Sequence, residues 1–154
     1  MKKILILLFV LLPISSRAQS YLQFGPAVYP MSAWGAEIIG DFKVVNLTSD
    51  LSLGLGAMAF ASTSKTHELP EEGKRVNAFY AAPQLSMRYA FSDKFNCYLR
   101  GGAGWLGDRK EGSDLISHFM CNAVAGAGLF FGERVGIYAE AGLPFSSIGL
   151  QFKL

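Results

Sequence analysis

VGIYAEAGL (Val135–Leu143), then Pro144-Phe145-Ser146, then SIGLQFKL (Ser147–Leu154): the reading of this stretch decides the fold. In the first run Val135, Ile137, Ala139, Ala141 and Leu143 share one face, and Gly136, Tyr138, Glu140 and Gly142 share the other. In the last run Ile148, Leu150, Phe152 and Leu154 oppose Gly149, Gln151 and Lys153. Strict alternation marks a strand with two unlike faces. The Pro144-Phe145-Ser146 segment reads as the turn of a hairpin.

Working back along the chain, the same alternation recurs six times: Tyr21–Tyr29, Trp34–Val44, Leu51–Ala61, Val76–Phe91, Asn96–Leu106 and Leu115–Phe131. With the terminal pair this makes about eight strands and no segment of helical period. The connections Asn46–Ser49, Ser92–Lys94 and Gly132–Arg134 are compact and polar. Residues 62–75 and 107–114 form the long loops, so one end of the array carries tight turns and the other the loops.

The start of the chain places it outside the cytoplasm. Lys2 and Lys3 precede an apolar run, Ile4–Leu12, that Pro13 breaks before Ser16-Arg17-Ala18. A basic start, a short apolar middle and a small-x-small end make a secretory signal peptide. Cleavage after Ala18 removes residues 1–18 and leaves one domain, 19–154. Of 14 basic residues against 12 acidic ones, Lys2, Lys3 and Arg17 leave with that segment. The remainder has 11 against 12, so no basic surplus points to nucleic acid.

The two faces are not those of a soluble sheet. One is aliphatic throughout. Of thirteen glycines within the runs, all but Gly40 and Gly101 lie on the other face. Glycine weakens a strand, and its repetition on one face calls for close backbone approach. A narrow closed barrel supplies the reason: small residues inside make room for Tyr80, Tyr98, Tyr138, Arg88 and Arg100. The aliphatic face then points outward to lipid, where strands persist only in a closed barrel. Trp34, Trp105, Tyr89, Phe91, Phe131 and Phe152 lie near run ends, where aromatic girdles belong.

On these features the chain resembles the bacterial outer-membrane β-barrel superfamily, specifically small eight-stranded barrels of the OmpA/OmpX type. The resemblance implies an all-β, antiparallel, up-and-down transmembrane barrel in the outer membrane of a Gram-negative bacterium. It implies outer-membrane lipid as surroundings, and engagement of the barrel assembly machinery by the C-terminal strand. It also implies an extracellular partner at loops 62–75 and 107–114. The family usually ends on an aromatic residue; here Leu154 holds that place and Phe152 stands two before it. Pro26 and Pro83 depart from the pattern, because a closed barrel has no free edge for them, and bulges or strand boundaries are expected there.

The inward charges Glu37, Asp41, Lys43, Arg88, Arg100, Glu140 and Lys153 are the candidate site. Unpaired buried charge is costly, so they are expected to pair, with Arg88 and Arg100 reaching Glu37 or Glu140. The expected role of Glu37, Asp41, Arg88, Arg100, Glu140 and Lys153 is a structural plug rather than an ionic gate. No catalytic, cofactor or metal residues are assigned. Gly102–Gly107 matches a dinucleotide fingerprint in letters but lacks the helix that motif needs. His67-Glu68 lacks a second His four residues on. The acidic residues around it read as a solvated loop.

His118 beside Ser117 invites comparison with lipid A deacylases, yet consecutive strand residues face opposite ways. Cys97 and Cys121 sit on neighbouring strands and would bridge only if the register set them opposite. Asn46-Leu47-Thr48 matches a glycosylation sequon but reads as a turn. The functional expectation is therefore a non-enzymatic barrel with a structural or surface-interaction role. A soluble periplasmic barrel holding a small apolar ligand is one alternative, and a lipid A-modifying barrel enzyme is another.

Overall fold

A computed structural model describes residues 20–29, 33–65, 75–110, 112 and 114–154. The signal segment 1–18 and the His67-Glu68 pair lie outside the described residues. Eight antiparallel strands close a barrel in sequence order, with β8 returning to β1. The strands are β1 (Ser20–Tyr29), β2 (Ala33–Asn46), β3 (Leu51–Lys65), β4 (Arg75–Ala90), β5 (Phe95–Lys110), β6 (Leu115–Phe130), β7 (Val135–Leu143) and β8 (Ser146–Lys153).

The alternation of the sequence becomes the inside and outside of this wall. Leu85, Leu99, Trp105, Phe119 and Ile148 are exposed, while Gln23, Tyr80, Arg100, Tyr138 and Gln151 are buried within. Glycine follows the same division. A Cβ on Gly56 would stand 2.1 Å from the Gly40 carbonyl oxygen, and one on Gly104 2.0 Å from that of Ala81. A Cβ on outward Gly40 or Gly101 would meet nothing nearer than 3.7 or 3.5 Å.

The wall is uneven in height. β3 to β6 run 15 or 16 residues, whereas β7 and β8 run 9 and 8. A spanning strand needs about 10 tilted residues, so β3–β6 project beyond β7 and β8 on the loop side. Residues 62–65 and 107–110, expected in loops, belong to these projections. The physical reason is that strand pairing outside an apolar layer needs no apolar alternation. Ser62, Thr63 and Ser64 pair with Ala78, Asn77 and Val76. The last β6–β7 pair is Ala123 with Leu143, so above it β6 has no β7 partner among the described residues.

The two prolines cause neither bulges nor boundaries, contrary to expectation. Pro26 lies inside β1 and Pro83 inside β4. On the β8 side of β1, pairing stops after Phe24–Leu150 and resumes at Ala27–Ser147 in unchanged register. On the β5 side of β4 it stops after Gln84–Gly102 and resumes at Ala81–Trp105, again without a shift. Each proline, having no N–H, thus falls in a local gap in one ladder. The register shift lies in β2 between Lys43 and Val45, where Val44 and Val45 are both exposed. That extra residue is the signature of a bulge.

The tight turns are closed by their own side chains. The Thr48 hydroxyl accepts from the amides of Asp50 (3.3 Å) and Leu51 (3.0 Å). Ser92 does the same for Lys94 (3.3 Å) and Phe95 (3.1 Å). The sequon-like Asn46-Leu47-Thr48 therefore has a turn-forming use for its threonine.

Candidate functional site

The lumen is built in three layers. Nearest the tight turns, the Arg88 guanidinium donates to Asp41 (3.1 Å) and Asn96 (2.6 Å). It lies between the rings of Tyr21 (3.9 Å) and Tyr98 (4.5 Å). Ser86 completes the Asp41 carboxylate at 2.6 Å. β2 and β4 are not paired in the sheet; β3 lies between them, and its Gly54 clears the path for their side chains to meet, since a Cβ there would stand 2.5 Å from Asp41 Oδ1.

In the middle layer Arg100 donates to Gln23 (2.9 Å) and to Glu140 (2.5 Å), which also accepts from the Tyr98 hydroxyl at 2.9 Å. Glu37 accepts from Tyr138 (2.9 Å) and Ser147 (2.5 Å). Gln84 and Asn122 exchange amide hydrogen bonds of 3.0 and 3.2 Å. Every one of these residues is buried. Among the described residues, ion pairs thus join Arg88 to Asp41 and Arg100 to Glu140, while Glu37 is held by hydroxyls.

Toward the loop end the filling turns apolar. Ala27, Ile39, Met58, Phe60, Tyr80, Leu106 and Phe145 form one buried cluster. Phe145 comes from the β7–β8 turn, is 0% exposed, and sets its ring 4.9 Å from Phe60 and 5.0 Å from Tyr80. Because β7 and β8 are short, their turn sits low enough for Phe145 to enter the barrel. Alternation could not reveal this, since a turn residue has no phase. The out-of-phase Met58, Phe60 and Leu106 were the available sign that the lumen holds an apolar layer.

Lys153 stands apart from the other network candidates. Its amine donates to the Asp93 carbonyl (2.8 Å) and lies 4.2 Å from the Phe130 ring centre, at the tight-turn mouth. Lys43 is half-buried beside the β2 bulge. His118 and Ser117 are both exposed, on opposite phases of the projecting part of β6. Cys97 pairs with Ala127 and Cys121 with Ala103, so the register does not set the cysteines opposite each other. Both thiols are free.

Among solved structures, Ail, the attachment invasion locus protein of Yersinia pestis in complex with the heparin analogue sucrose octasulfate, shares this architecture. The alignment covers 89% of this chain and 97% of Ail at TM-score 0.59, with 11% identity. The fold is that of a small transmembrane β-barrel. Ail of Yersinia pestis in a phospholipid bilayer nanodisc aligns over 90% of this chain and 100% of its own, at TM-score 0.54 and 12% identity. A de novo designed transmembrane β-barrel covers 91% and 98%, at TM-score 0.50 and 13% identity. No protein-family model and no curated protein matches the chain.

With its lumen filled by side chains in all three layers, the barrel is expected to pass no steady ionic current. Planar-bilayer recording of the reconstituted protein checks this; discrete open-channel steps would show that the filling moves aside.

Proposed function

We propose that this chain is an outer-membrane protein of a Gram-negative bacterium, exported through a cleaved signal peptide (residues 1–18). Its role is non-enzymatic, structural or surface-interacting, with the barrel as scaffold and the loop-side projection as contact region. The observation that carries this reading is the inversion of the faces. Aliphatic and aromatic side chains cover the outside, and ion pairs and hydrogen-bonded polar groups occupy the inside. Such a wall suits lipid. The converse, a soluble barrel around an apolar ligand, would need an apolar lumen with space in it.

The projecting β3–β6 wall supports a surface role, since the ends of β3 and β4, joined through residues 66–74, and of β5 and β6, joined through residues 111–114, stand beyond the shorter β7–β8 side. Ail carries a sulfated saccharide in its crystal structure; an extracellular partner at these loops is the corresponding reading here. The C-terminal strand is the proposed contact for the assembly machinery. In the finished barrel Leu154 donates its amide to the Ser20 carbonyl (2.9 Å), where the end of β8 meets the start of β1.

Gel mobility in SDS, boiled against unboiled, tests the reading on membrane-extracted protein. Two mobilities are expected, because a closed transmembrane barrel resists SDS until heated. A single mobility together with recovery in the soluble periplasmic fraction would overturn it.

A further inference from the structure

We propose that the lumen binds one singly charged alkali cation, Na+ or K+, between the carboxylates of Glu37 and Glu140. The inference rests on the closed, side-chain-filled barrel of the reading above and adds to it a ligand and its position. It begins with a charge count. Among the described residues the buried charged side chains are Glu37, Asp41 and Glu140 against Arg88 and Arg100. Arg88 is matched by Asp41, and Arg100 by Glu140. Glu37 has hydroxyls as its hydrogen-bond partners and no cation. An uncompensated buried charge is very costly. One positive charge beside Glu37 removes the imbalance.

The register brings the two carboxylates together. Gly25 faces Glu37 across the β1–β2 pair, and Gly149 faces Tyr138 across the β7–β8 pair. A Cβ on Gly25 would stand 2.7 Å from the Gly149 Cα, so the two glycines lie side by side. Over this bare stretch of wall the Tyr138 hydroxyl reaches Glu37 Oε1 at 2.9 Å. Ser147, which donates to the same oxygen, is the register partner of Glu140. Cβ atoms of such partners stand about 5 Å apart, which sets the Glu140 side chain beside the Glu37 carboxylate. On Glu140, Tyr98 and Arg100 both bond Oε2. Glu37 Oε2 and Glu140 Oε1 are buried, and no hydrogen-bond donor reaches either. The two residues are 3% and 5% exposed.

The donor set selects the ion. Tyr138 and Ser147 donate their protons to Glu37 and keep oxygen lone pairs. The ligands at hand are therefore hard oxygens, which suit alkali and alkaline-earth ions over transition metals. Among the described residues no third carboxylate, histidine or cysteine joins the pair. A divalent ion would leave the lumen one charge too positive. A water molecule would supply hydrogen bonds but leave the charge unbalanced.

The test is urea unfolding of the protein refolded into phosphatidylcholine vesicles, with sodium or potassium chloride exchanged stepwise for tetramethylammonium chloride. Constant ionic strength removes screening as a cause. The folding equilibrium constant is expected to rise with Na+ or K+, approaching about tenfold per tenfold of cation, as for one site. Tetramethylammonium, whose methyl groups bar close approach to a carboxylate, should give no rise. Glu37→Gln keeps the volume and an acceptor for Tyr138 and Ser147 but removes the excess charge. It is expected to lose the dependence, and to fold in tetramethylammonium chloride at least as stably as the wild type. Asp93→Asn, between β4 and β5 at the tight-turn end, should keep the dependence. The wild-type series stands without any variant. Equal stability in all three salts, or an undiminished dependence in Glu37→Gln, overturns the site. Equal stability in the salts together with a rise as pH falls would put a proton there, and overturns the cation. Heat-dependent gel mobility is read in parallel. If the wild-type chain lacks it in every salt, the membrane reading itself fails; if only the salt dependence is missing, the cation site alone does.

Discussion

Replacing Arg100 with methionine is expected to destabilise the folded barrel by about 3–5 kcal/mol, the usual loss when one partner of a buried ion pair is removed. Arg100 is 3% exposed, and its guanidinium bonds both Gln23 and Glu140. Methionine keeps much of the volume but leaves the Glu140 carboxylate with the Tyr98 hydroxyl as its remaining donor. Arg88 does not replace the lost cation, because it is committed to Asp41 and Asn96. Adding Glu140→Gln should restore most of the loss, since a neutral amide can stay hydrogen-bonded to Tyr98 without a cation. The double variant therefore separates loss of charge pairing from loss of packing. Urea unfolding of the barrel in lipid vesicles, followed by the fraction of protein with folded gel mobility, measures all three. A loss below about 1 kcal/mol in the single variant would mean that water reaches Glu140, and the plugged lumen would be wrong.

Much of this lumen is legible in the sequence, because strand alternation is a backbone property. Once the glycine-rich face is assigned inward, Glu37, Asp41, Arg88, Arg100 and Glu140 follow it inside without knowledge of the register. Their pairing does not follow. Arg88 meets Asp41 across β3 rather than Glu37 or Glu140, and that choice depends on Gly54 being small enough to leave the path open. Lys153 shares the phase of these residues but sits one residue from the chain end, at the mouth, where a carbonyl and an aromatic ring hold its amine. Phase fixes a face; depth along the barrel decides the partner.

The ends of the strands were harder to read for a related reason. Apolar alternation marks only the part of a strand in an apolar layer, so Ser62–Lys65 and Gly107–Lys110 looked like loop while continuing the ladder. Phe145 was hidden by the opposite effect: a turn too low on the wall to stay outside.

Valine in place of Gly104 is expected to abolish the heat-sensitive folded form, while valine in place of Gly101, three residues earlier in the same strand, preserves it. At Gly104 a Cβ would stand 2.0 Å from the Ala81 carbonyl oxygen and 2.6 Å from the Ala82 Cβ. The first of these atoms is backbone, on the strand paired with β5 through Ala81–Trp105. Relief therefore requires β4 and β5 to separate, which opens the wall where lipid cannot satisfy the freed groups. At Gly101 the nearest atom is the Asn122 carbonyl oxygen at 3.5 Å, an ordinary contact on the outer face. There valine removes a flexible residue from a strand and adds apolar surface toward lipid, for an expected gain of about 0.5–1 kcal/mol. Folding each variant into lipid vesicles and counting the fraction that shifts on boiling reads both effects in one gel. The opposite outcome, with Gly104→Val folding and Gly101→Val failing, would place the glycine-rich face outside and turn the barrel inside out.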